Sequence, residues 1–328
     1  MLTYLGEQRP GGYFLPGSVV LLDTTMSSKG PVTPKGFGDT LPAEAAKRRL
    51  IVNAIVPVLE KYGFAPIETP TVEFADTLLG KYGEEEKLIY QFEDKGGRKL
   101  ALRYDLTVPL ARFVANNLGL LTPNFCRYQI GQVFRGENPQ KGRRREFTQF
   151  DFDTVGSADY REDVKVISAT IESARTIGLK DAIVQINDRE LFDKIGFSKE
   201  AIIAIDKIDK IGRDGVVALL KEIDIAKAEK MFAVLEITEK TERLGKIFAG
   251  LKEAGFTEGK DFVFNPFLAR GLNYYTSTIF ELKLDKTQGE LAIGGGGRYD
   301  NLIGIFAGRD IPAVGFSFGI DRIIDLLP

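Results

Sequence analysis

The alternation of apolar and polar residues predicts helices and strands over most of the chain. Across residues 42–62, apolar side chains recur at helical spacing, and Gly63 ends the pattern. The segments 88–93 and 99–104 alternate as strands do, around a polar turn. A second helix is predicted over 108–117. The first third of the chain therefore mixes helices with short strands.

The middle of the chain contains the two longest predicted strands, 128–135 and 145–155, which a polar loop over 136–144 connects. A helix predicted over 159–178 follows, and acidic residues in its first turn complement the helix dipole. From about 188 to 256 the pattern changes to short helices rich in Lys, Glu, Ile and Ala.

The last part of the chain returns to strands, predicted over 262–284 and 289–293. Four consecutive glycines at 294–297 are expected to interrupt the sheet, and residues 313–327 predict a strand or turn followed by a helix. Few helices alternate regularly with the strands. The pattern therefore favours an α+β fold, in which helices pack on a mostly antiparallel sheet and a helical module is inserted.

These patterns divide the chain into four predicted parts. Residues 1–33 are rich in Gly, Pro, Ser and Thr without a clear period, which predicts a flexible N-terminal extension, with a docking arm as the alternative. The remaining parts are a first core segment over 34–187, a helical insertion over 188–258 and a second core segment over 259–328.

The composition excludes several classes of site. The chain has 328 residues and a net charge of −2, which argues against a protein that coats nucleic acid with its whole surface but leaves room for a local basic site. A single cysteine, Cys126, excludes an internal disulfide, and the absence of histidine excludes catalytic triads and His-ligated zinc. No metal site built from His or Cys is expected.

The N-terminal region offers no targeting signal. Its longest apolar run, Val19-Val20-Leu21-Leu22, is too short to span a membrane and follows no basic segment, so we predict a cytoplasmic protein that does not bind membranes.

The strand predicted over 145–155 shows the clearest candidate chemistry. Because strand side chains alternate between faces, Phe147, Gln149, Asp151 and Asp153 share one face, while two phenylalanines share the other. Two acids and an amide on one face indicate either a solvated edge strand or the floor of a pocket for a cationic or donor-rich ligand. The sequence leaves both possibilities open.

Basic residues surround the loop before this strand. Arg135 ends the preceding strand, and Lys141, Arg143, Arg144 and Arg145 follow within the loop. Planar guanidinium groups suit phosphate oxygens, so the cluster is compatible with a triphosphate or an RNA backbone. Taken alone, such a run of charges is also compatible with a solvated loop.

Four other polar residues lie within predicted strands or helices or next to them. Asp105 and Thr107 follow a strand where a helix begins, so they are either a helix cap or an anchor for an ammonium group. Arg270 stands within a predicted apolar and aromatic strand and requires an anionic partner, either a protein acid or a phosphate. Arg322 lies one turn into the last predicted helix.

Together these segments resemble the class II aminoacyl-tRNA synthetases and, within them, the histidyl-tRNA synthetase family. The resemblance covers about residues 34–327. The matching segments, in chain order, are 61–70 (the first class motif, which builds the dimer interface), 134–149 (the second motif), 268–275 and 294–300 (the histidine-specific segments) and 315–322 (the third motif). Five such segments in the right order indicate the family specifically.

The resemblance implies the class II catalytic fold and an ATP-dependent histidine–tRNA ligase activity. Such an enzyme activates L-histidine with ATP to histidyl-adenylate and then transfers it to the 3′ end of tRNA(His). The family further implies a homodimer and Mg²⁺ bound to ATP.

The resemblance also assigns roles to individual residues. Arg135 and Arg270 are implied as the catalytic residues. The implied ATP-binding residues are Arg135, Glu137, Phe147 and Arg322. The implied histidine-binding residues are Asp105, Thr107, Arg135, Gln149, Asp153, Arg270, Tyr274 and Tyr275, with Asp153 as the acceptor for a ring N–H. The implied contacts to the tRNA acceptor end are Lys141, Arg143 and Arg144.

Some features depart from the family pattern. Asn273 stands where the family usually has Asp, and Ser277 where it usually has Gly. Family members continue into an anticodon-binding domain, whereas this sequence stops at Pro328, as a naturally short or a trimmed form would.

The missing domain also characterises a non-catalytic relative, the histidine-sensing regulatory subunit of ATP phosphoribosyltransferase. In that relative, the Arg-Gly-Leu segment is usually absent and the loop of the second motif has usually lost its characteristic residues. Both features are intact here, so the enzyme is favoured. A tRNA-binding fragment without chemistry is the third possibility.

Overall fold

The computed structural model describes residues 31–139, 143–223, 228–271, 274–284 and 292–327. Most of the extension predicted over 1–33 lies outside the described residues, as do Lys141, Asn273 and part of the strand predicted over 289–293. From Lys35 onward the described residues belong to one compact unit. Within this described part, no helix is both long enough and apolar enough to cross a membrane.

The helices begin and end close to the predicted positions. They are α1 (Pro42–Lys61), α2 (Ala75–Leu78), α3 (Thr107–Asn117), α4 (Tyr160–Thr176), α5 (Glu190–Ile195), α6 (Lys199–Ile205), α7 (Ile208–Ile223), α8 (Ala228–Glu236), α9 (Glu242–Glu253), α10 (Gly304–Ala307) and α11 (Ile320–Leu326). The short helices expected between 188 and 256 are α5 to α9, although the division of the chain into four parts stays a prediction.

The strands are more numerous than the sequence suggested. They are β1 (Ala65–Pro66), β2 (Val72–Phe74), β3 (Gln91–Glu93), β4 (Lys99–Leu102), β5 (Phe125–Phe134), β6 (Glu146–Val155), β7 (Ala182–Asp188), β8 (Phe262–Phe264), β9 (Thr278–Leu284), β10 (Ala292–Arg298) and β11 (Ala313–Gly319).

The described strands form an eight-stranded sheet in the order β1-β5-β6-β11-β10-β9-β7-β8 and a three-stranded sheet in the order β2-β4-β3. In the large sheet, the end pairs β1–β5 and β7–β8 are parallel and the inner pairs are antiparallel. The predicted α+β fold with a mostly antiparallel sheet is therefore confirmed.

One face of the large sheet is apolar and covered by helices. Phe150 and Phe152 of β6 are fully buried there and join one core with residues of α1, α4, α9 and α11. Phe316 of β11 packs on Phe152, with ring centroids 5.7 Å apart. Burying each such ring contributes about 1.5–3 kcal/mol, so the helices fix which face of β6 points inward. The opposite face is left for polar chemistry.

Two predictions about strands are wrong. The glycines at 294–297 do not interrupt the sheet, because they pair with both β9 and β11 within β10. A Cβ at Gly296 would lie 2.1 Å from the carbonyl oxygen of Gly315, so the close packing of this strand requires glycine. The strand expected over 262–284 is two strands, β8 and β9, and Arg270 lies in the irregular segment between them.

A buried ion network connects the sheet to the helices behind it. Asp163 of α4 accepts hydrogen bonds from Arg298 of β10 and from Arg243 of α9, each at 2.6 Å. Asp163 and Arg298 are almost completely buried. Arg298 belongs to a histidine-specific segment, but its guanidinium has a structural partner and does not line the cavity described below.

We predict that Asp163→Ala strongly destabilises the protein. The change leaves the buried Arg298 without its carboxylate, and breaking such a buried pair costs about 3–5 kcal/mol of the free energy of unfolding. Urea denaturation measures this loss. Glu242→Ala, which removes an exposed ion pair to Lys246, serves as the control and should leave the unfolding midpoint nearly unchanged. A midpoint for Asp163→Ala equal to that of the control would contradict the assigned role.

Candidate active site

The polar face of the large sheet forms the floor of a cavity of about 590 Å³, which continues into a smaller one of about 220 Å³. Both parts are lined by Arg135, Gln149, Arg270 and Arg322, so they are one continuous space. Of the two interpretations of the polar face of β6, the pocket floor is therefore correct and the solvated edge is wrong.

The cavity brings together the predicted site residues that the structure describes, and only Lys141 lies outside the described residues. Those that line it are Asp105, Thr107, Arg135, Glu137, Arg143, Arg144, Phe147, Gln149, Asp153, Arg270, Tyr274, Tyr275 and Arg322. They come from strands, helix starts and loops that are far apart in the sequence. Their roles as catalytic or binding residues stay predictions.

Asp105 serves as a helix cap and also faces the cavity. Its Oδ1 accepts hydrogen bonds from the backbone N–H groups of Thr107 and Val108 and from the hydroxyl of Tyr82, at 3.1, 3.0 and 2.9 Å. Its Oδ2 is buried and has no hydrogen-bond partner among the described residues. Burial raises the pKa of this carboxyl, although the hydrogen bonds at Oδ1 oppose the rise.

Asp153 is fixed by two neighbours that the sequence did not reveal. Its Oδ2 lies 2.6 Å from Nη2 of the fully buried Arg127 on β5, and its Oδ1 accepts a hydrogen bond from Tyr299. A Cβ at Gly315 would overlap Asp153, so the carboxylate requires glycine beside it on β11. Oδ1 of the predicted imidazole acceptor is therefore hydrogen-bonded, whereas Oδ2 has an ionic contact with Arg127 but no hydrogen-bond partner among the described residues.

Arg127 is the main residue that sequence analysis missed. It lies directly before the strand predicted over 128–135, because the observed strand β5 begins three residues earlier than predicted. The missing information was the register, which places Arg127 directly opposite Asp153 in the β5–β6 pair. Pairing register across strands cannot be derived from the spacing of residues along a single chain.

Four buried carboxylate or amide oxygens of cavity-lining residues have no hydrogen-bond partner among the described residues. They are Oδ2 of Asp105, Oε1 of Gln149, Oδ1 of Asp151 and Oδ2 of Asp153, the last of which still lies in ionic contact with Arg127. A buried polar atom without a partner costs about 1–3 kcal/mol, so a ligand rich in N–H donors would relieve this cost. This end of the cavity is therefore suited to an ammonium or another donor-bearing group.

Asp151 has a strongly perturbed acidity. Burial raises its pKa to about 7, the nearby Arg127 opposes the rise, and the neighbouring Asp153 adds to it. Three carboxylates thus share one buried region, and Asp151 binds a proton at mildly acidic pH.

The side wall of this end is aromatic. The rings of Tyr274 and Tyr275 lie 4.8 Å apart, and Tyr299 packs edge-on against Tyr274. A Cβ at Gly297 would lie 2.8 Å from the ring of Tyr275, so the absence of a side chain lets the ring rest directly on the sheet. The wall and floor enclose a flat space between phenol rings and carboxylates.

The other end of the cavity is lined by guanidinium groups. Arg135 lies over the ring of Tyr104 at 4.3 Å and near that of Phe147 at 5.1 Å, which fixes its position by cation–π contacts. Arg322 donates from Nη1 to the carbonyl of Ala292 at 2.8 Å. Burial, together with repulsion from Arg143 and Arg135, lowers the pKa of Arg322. Cations held this close favour a polyanionic ligand.

The loop residues at this end form ion pairs with nearby acids. Arg143 lies 3.0 Å from Glu137, and Arg144 lies 3.4 Å from Glu44 and 3.6 Å from Asp321. Arg143 and Arg144 line the cavity, so the described geometry places them beside the predicted nucleotide residue Glu137. Their predicted contact with tRNA is not tested by this geometry.

Arg270 connects the two ends. Its Nη1 donates to Oε1 of Glu281 on β9 at 2.8 Å. The prediction that Arg270 has an anionic partner is therefore confirmed, and the partner is a protein acid. A Cβ at Gly295 would lie 2.1 Å from the same nitrogen. Burial lowers the pKa of Arg270, but Tyr275, Glu281 and Asp206 outweigh it and keep the group charged.

The comparisons with known proteins agree on one family. Residues 36–233 and 217–323 match the family described as histidyl-tRNA synthetase. The chain is 42% identical to a histidine–tRNA ligase of Aeropyrum pernix, covering 92% of this chain and 75% of that protein. It is 37% identical to one of Rhodopirellula baltica, covering 90% and 74%. The crystal structure of histidyl-tRNA synthetase from Nostoc sp. PCC 7120 matches with a TM-score of 0.77 and 31% identity, covering 91% of this chain and 75% of that chain.

The acidity of Asp151 predicts how stability depends on pH. Its folded-state pKa of about 7 exceeds the value of about 3.9 in an unfolded chain, so the folded state holds an extra proton between these values. Its contribution to the free energy of unfolding therefore falls as pH rises through that range. Asp151→Asn should gain stability relative to the native protein from pH 5 to pH 8, as measured by urea denaturation.

Thr154→Val is the control for this prediction, because Thr154 is buried on the opposite face of the same strand. Its stability should run parallel to that of the native protein across the pH range. Parallel curves for Asp151→Asn as well would show that Asp151 does not titrate as described.

Proposed function

The chain belongs to the histidyl-tRNA synthetase family, and we propose on this basis that it is an ATP-dependent histidine–tRNA ligase. It activates L-histidine to histidyl-adenylate and transfers the aminoacyl group to the 3′ end of tRNA(His). The observation that supports this best is a single cavity with unpartnered acceptors at one end and guanidinium groups at the other. An amino acid with its ammonium group and a nucleoside triphosphate match these two ends.

The first step is an in-line displacement at phosphorus. A carboxylate oxygen of histidine forms a bond to the α-phosphorus, the bond to the β-phosphate bridge breaks, and pyrophosphate leaves with the electron pair. The carboxylate is already the nucleophile, so the step needs fixed cations rather than a covalent nucleophile. Arg135 would bind the α-phosphate and the carboxylate, and Arg270 would stabilise the negative charge that develops on the phosphate.

The amino acid would bind at the acidic end. Asp105, Thr107 and Gln149 would receive the α-ammonium group, since these residues line the cavity and neither Oδ2 of Asp105 nor Oε1 of Gln149 has a hydrogen-bond partner in the described part of the chain. The imidazole ring would lie against Tyr274 and Tyr275. Such a site rejects analogues without ring N–H groups, because their binding would leave buried acceptors unpaired.

The nucleotide would bind at the guanidinium end. Phe147 would stack on the adenine ring, Glu137 would accept from its amino group, and Arg322 would bind the γ-phosphate. Arg322 suits this role because burial among other arginines leaves its charge uncompensated.

Magnesium would enter with the nucleotide. Among the described residues, no three His, Cys, Asp or Glu side chains are grouped so that they could hold a metal ion. Phosphate oxygens and water would supply most ligands of an ion that arrives on ATP. Glu281 is a carboxylate at the junction of the two ends that could complete its coordination. When bound, the ion would neutralise charge on the phosphates.

The second substrate would approach beside the loop that contains Arg143 and Arg144. These side chains, with Lys141, would contact the acceptor end of the tRNA as its terminal ribose enters the cavity. A cytoplasmic location belongs to the same proposal.

Arg270→Ala should reduce histidine-dependent ATP–pyrophosphate exchange by about 100- to 1,000-fold, the usual effect of removing a group that stabilises transition-state charge. Arg213→Ala, which removes an exposed arginine paired with Glu236, is the matched control and should keep full exchange. Exchange unaffected by Arg270→Ala would refute the assigned role.

The same assay separates the alternatives. Histidine binding by the native protein without any exchange would support the regulatory alternative. RNA retardation without exchange would support a binding fragment. Aminoacylation of total tRNA, run beside the exchange assay, tests the transfer step.

We also propose a homodimer. The three-stranded sheet exposes an apolar row on one face, because Phe74 of β2 and Phe92 of β3 both pair with Leu100 of β4. Phe74 and Phe92 are 57% and 44% exposed in the single chain, and Val72 on the same face is 38% exposed. Clustered exposed aromatic residues are typical of protein interfaces, and the family resemblance indicates a second copy as the partner.

Phe74→Glu should shift the protein from dimer to monomer, because it buries a charge at an apolar contact. Sedimentation velocity measures the change. The control is Ile237→Glu. Ile237 is an apolar residue directly after α8 that is 81% exposed, and this variant should sediment like the native protein. A native protein that sediments as a monomer would contradict the dimer.

A further inference from the structure

An ion pair at the guanidinium end of the cavity joins the first helix of the chain to the last. Asp321 is the second residue of α11 and directly precedes Arg322, which lines the cavity. Arg48 of α1 donates from Nη2 to Oδ1 of Asp321 at 2.9 Å. Asp321 is 8% exposed and the side chain of Arg48 is 22% exposed, so the pair is shielded from most of the solvent.

The carboxylate of Asp321 also connects two elements that line the cavity. Its Oδ2 accepts a hydrogen bond from the backbone N–H of Thr148 at 2.6 Å. Thr148 follows Phe147 on β6, the residue proposed to stack on adenine. Arg322, proposed to bind the γ-phosphate, follows Asp321 on α11. One carboxylate therefore holds the two proposed nucleotide residues at a fixed separation.

α1 contacts both ends of α11. Arg48 binds Asp321 in the first turn. Lys47, the preceding residue of α1, donates from Nζ to the carbonyl oxygen of Leu327, which directly follows the last residue of α11. Ile51, one turn further along α1, shares a buried core with isoleucines of α11. The position of α11, and with it the start of the Arg322 side chain, is therefore set from α1.

The charge of Asp321 gives Arg48 a second effect. Asp321 lines the smaller part of the cavity beside Arg322, so an uncompensated carboxylate here would repel the phosphates of a nucleotide. Arg48 compensates this charge without being among the cavity-lining residues that the structure describes. The other nearby cation, Arg144, lies 3.6 Å from Asp321 and is shared with Glu44.

We propose that Arg48 is a positioning residue for nucleotide binding, which acts through the carboxylate of Asp321. It holds Phe147 and Arg322 at a fixed separation and neutralises an acid beside the phosphates, without contacting the substrates itself. This inference rests on the proposed function and goes beyond it, because Arg48 lies outside each of the five segments that carry the family resemblance.

The test compares Arg48→Ala with a matched control on the same helix, Arg49→Ala, in the exchange assay. Arg49 is exposed and forms no ion pair among the described residues. We expect Arg48→Ala to raise the KM for ATP about tenfold, because a misplaced binding group and an uncompensated carboxylate both weaken nucleotide binding. Its KM for histidine should stay close to the native value, and Arg49→Ala should leave both constants unchanged.

Two further variants separate this role from a structural effect. Arg48→Lys keeps the cation and should recover most of the lost affinity for ATP. Asp321→Asn keeps an oxygen that can accept from Thr148 and removes the charge that Arg48 compensates. The double variant Arg48→Ala/Asp321→Asn should therefore have a lower KM for ATP than Arg48→Ala alone. Effects of the two changes that multiply would overturn the route through Asp321.

Thermal melting checks that each variant is folded at the assay temperature, and Arg48→Gln takes the place of Arg48→Ala if that variant is not. An unchanged KM for ATP in the folded variant, or equal rises in KM for ATP and histidine, would overturn the proposal.

A failure of the proposed function is distinguishable from a failure of this inference. If the native protein shows no exchange, the proposed function fails by itself, and titration calorimetry with ATP still tests the role of Arg48. In that case, ATP should bind the native protein about tenfold more tightly than Arg48→Ala, for the same electrostatic and positional reasons. Equal affinities, or no binding of ATP by either protein, would overturn the inference.

Discussion

Opposite charges in this cavity are kept apart inside a poorly solvated space, and the rest of the structure depends on that separation. Carboxylates meet at one end and guanidinium groups at the other. Neither end is neutralised fully by the described residues, since acceptors remain without hydrogen-bond partners among them at one end and arginines repel one another at the other. A ligand with a donor-bearing end and a polyanionic end would relieve both, so the site is organised to receive charges from its ligands.

The large sheet makes this separation possible because one of its faces packs against helices and the other lines the cavity. Phenylalanines anchor one face to the helices, which fixes Asp151 and Asp153 of β6 on the other face. The glycines of β10 then let Arg270 and Tyr275 rest directly on that polar face. The segment that contains them also packs into a core with the helical module, where Leu268 and Ala269 meet α5 to α8. The module therefore supports the side chains that would surround the substrate.

Much of this architecture could be predicted from the sequence, and the failures have physical causes. The alternation along β6 predicted a polar face, and five segments in order predicted the family. The glycine run was misjudged because glycine usually weakens strands, whereas here close packing on both faces requires it. Arg270 was placed in a strand because apolar and aromatic spacing cannot distinguish a strand from an irregular segment packed on a core. Arg127 was missed because its partner is set by register.

The chemistry proposed for the first step requires no histidine side chain in this cavity. The attacking carboxylate is already ionised at neutral pH, so no general base has to remove a proton from it. The charge that develops on the phosphate would be stabilised by arginines, which stay protonated throughout. Recognition of an imidazole requires hydrogen-bond acceptors and flat walls, and carboxylates with phenol rings provide both. Fixed charges therefore replace a titrating imidazole in every role that this cavity requires.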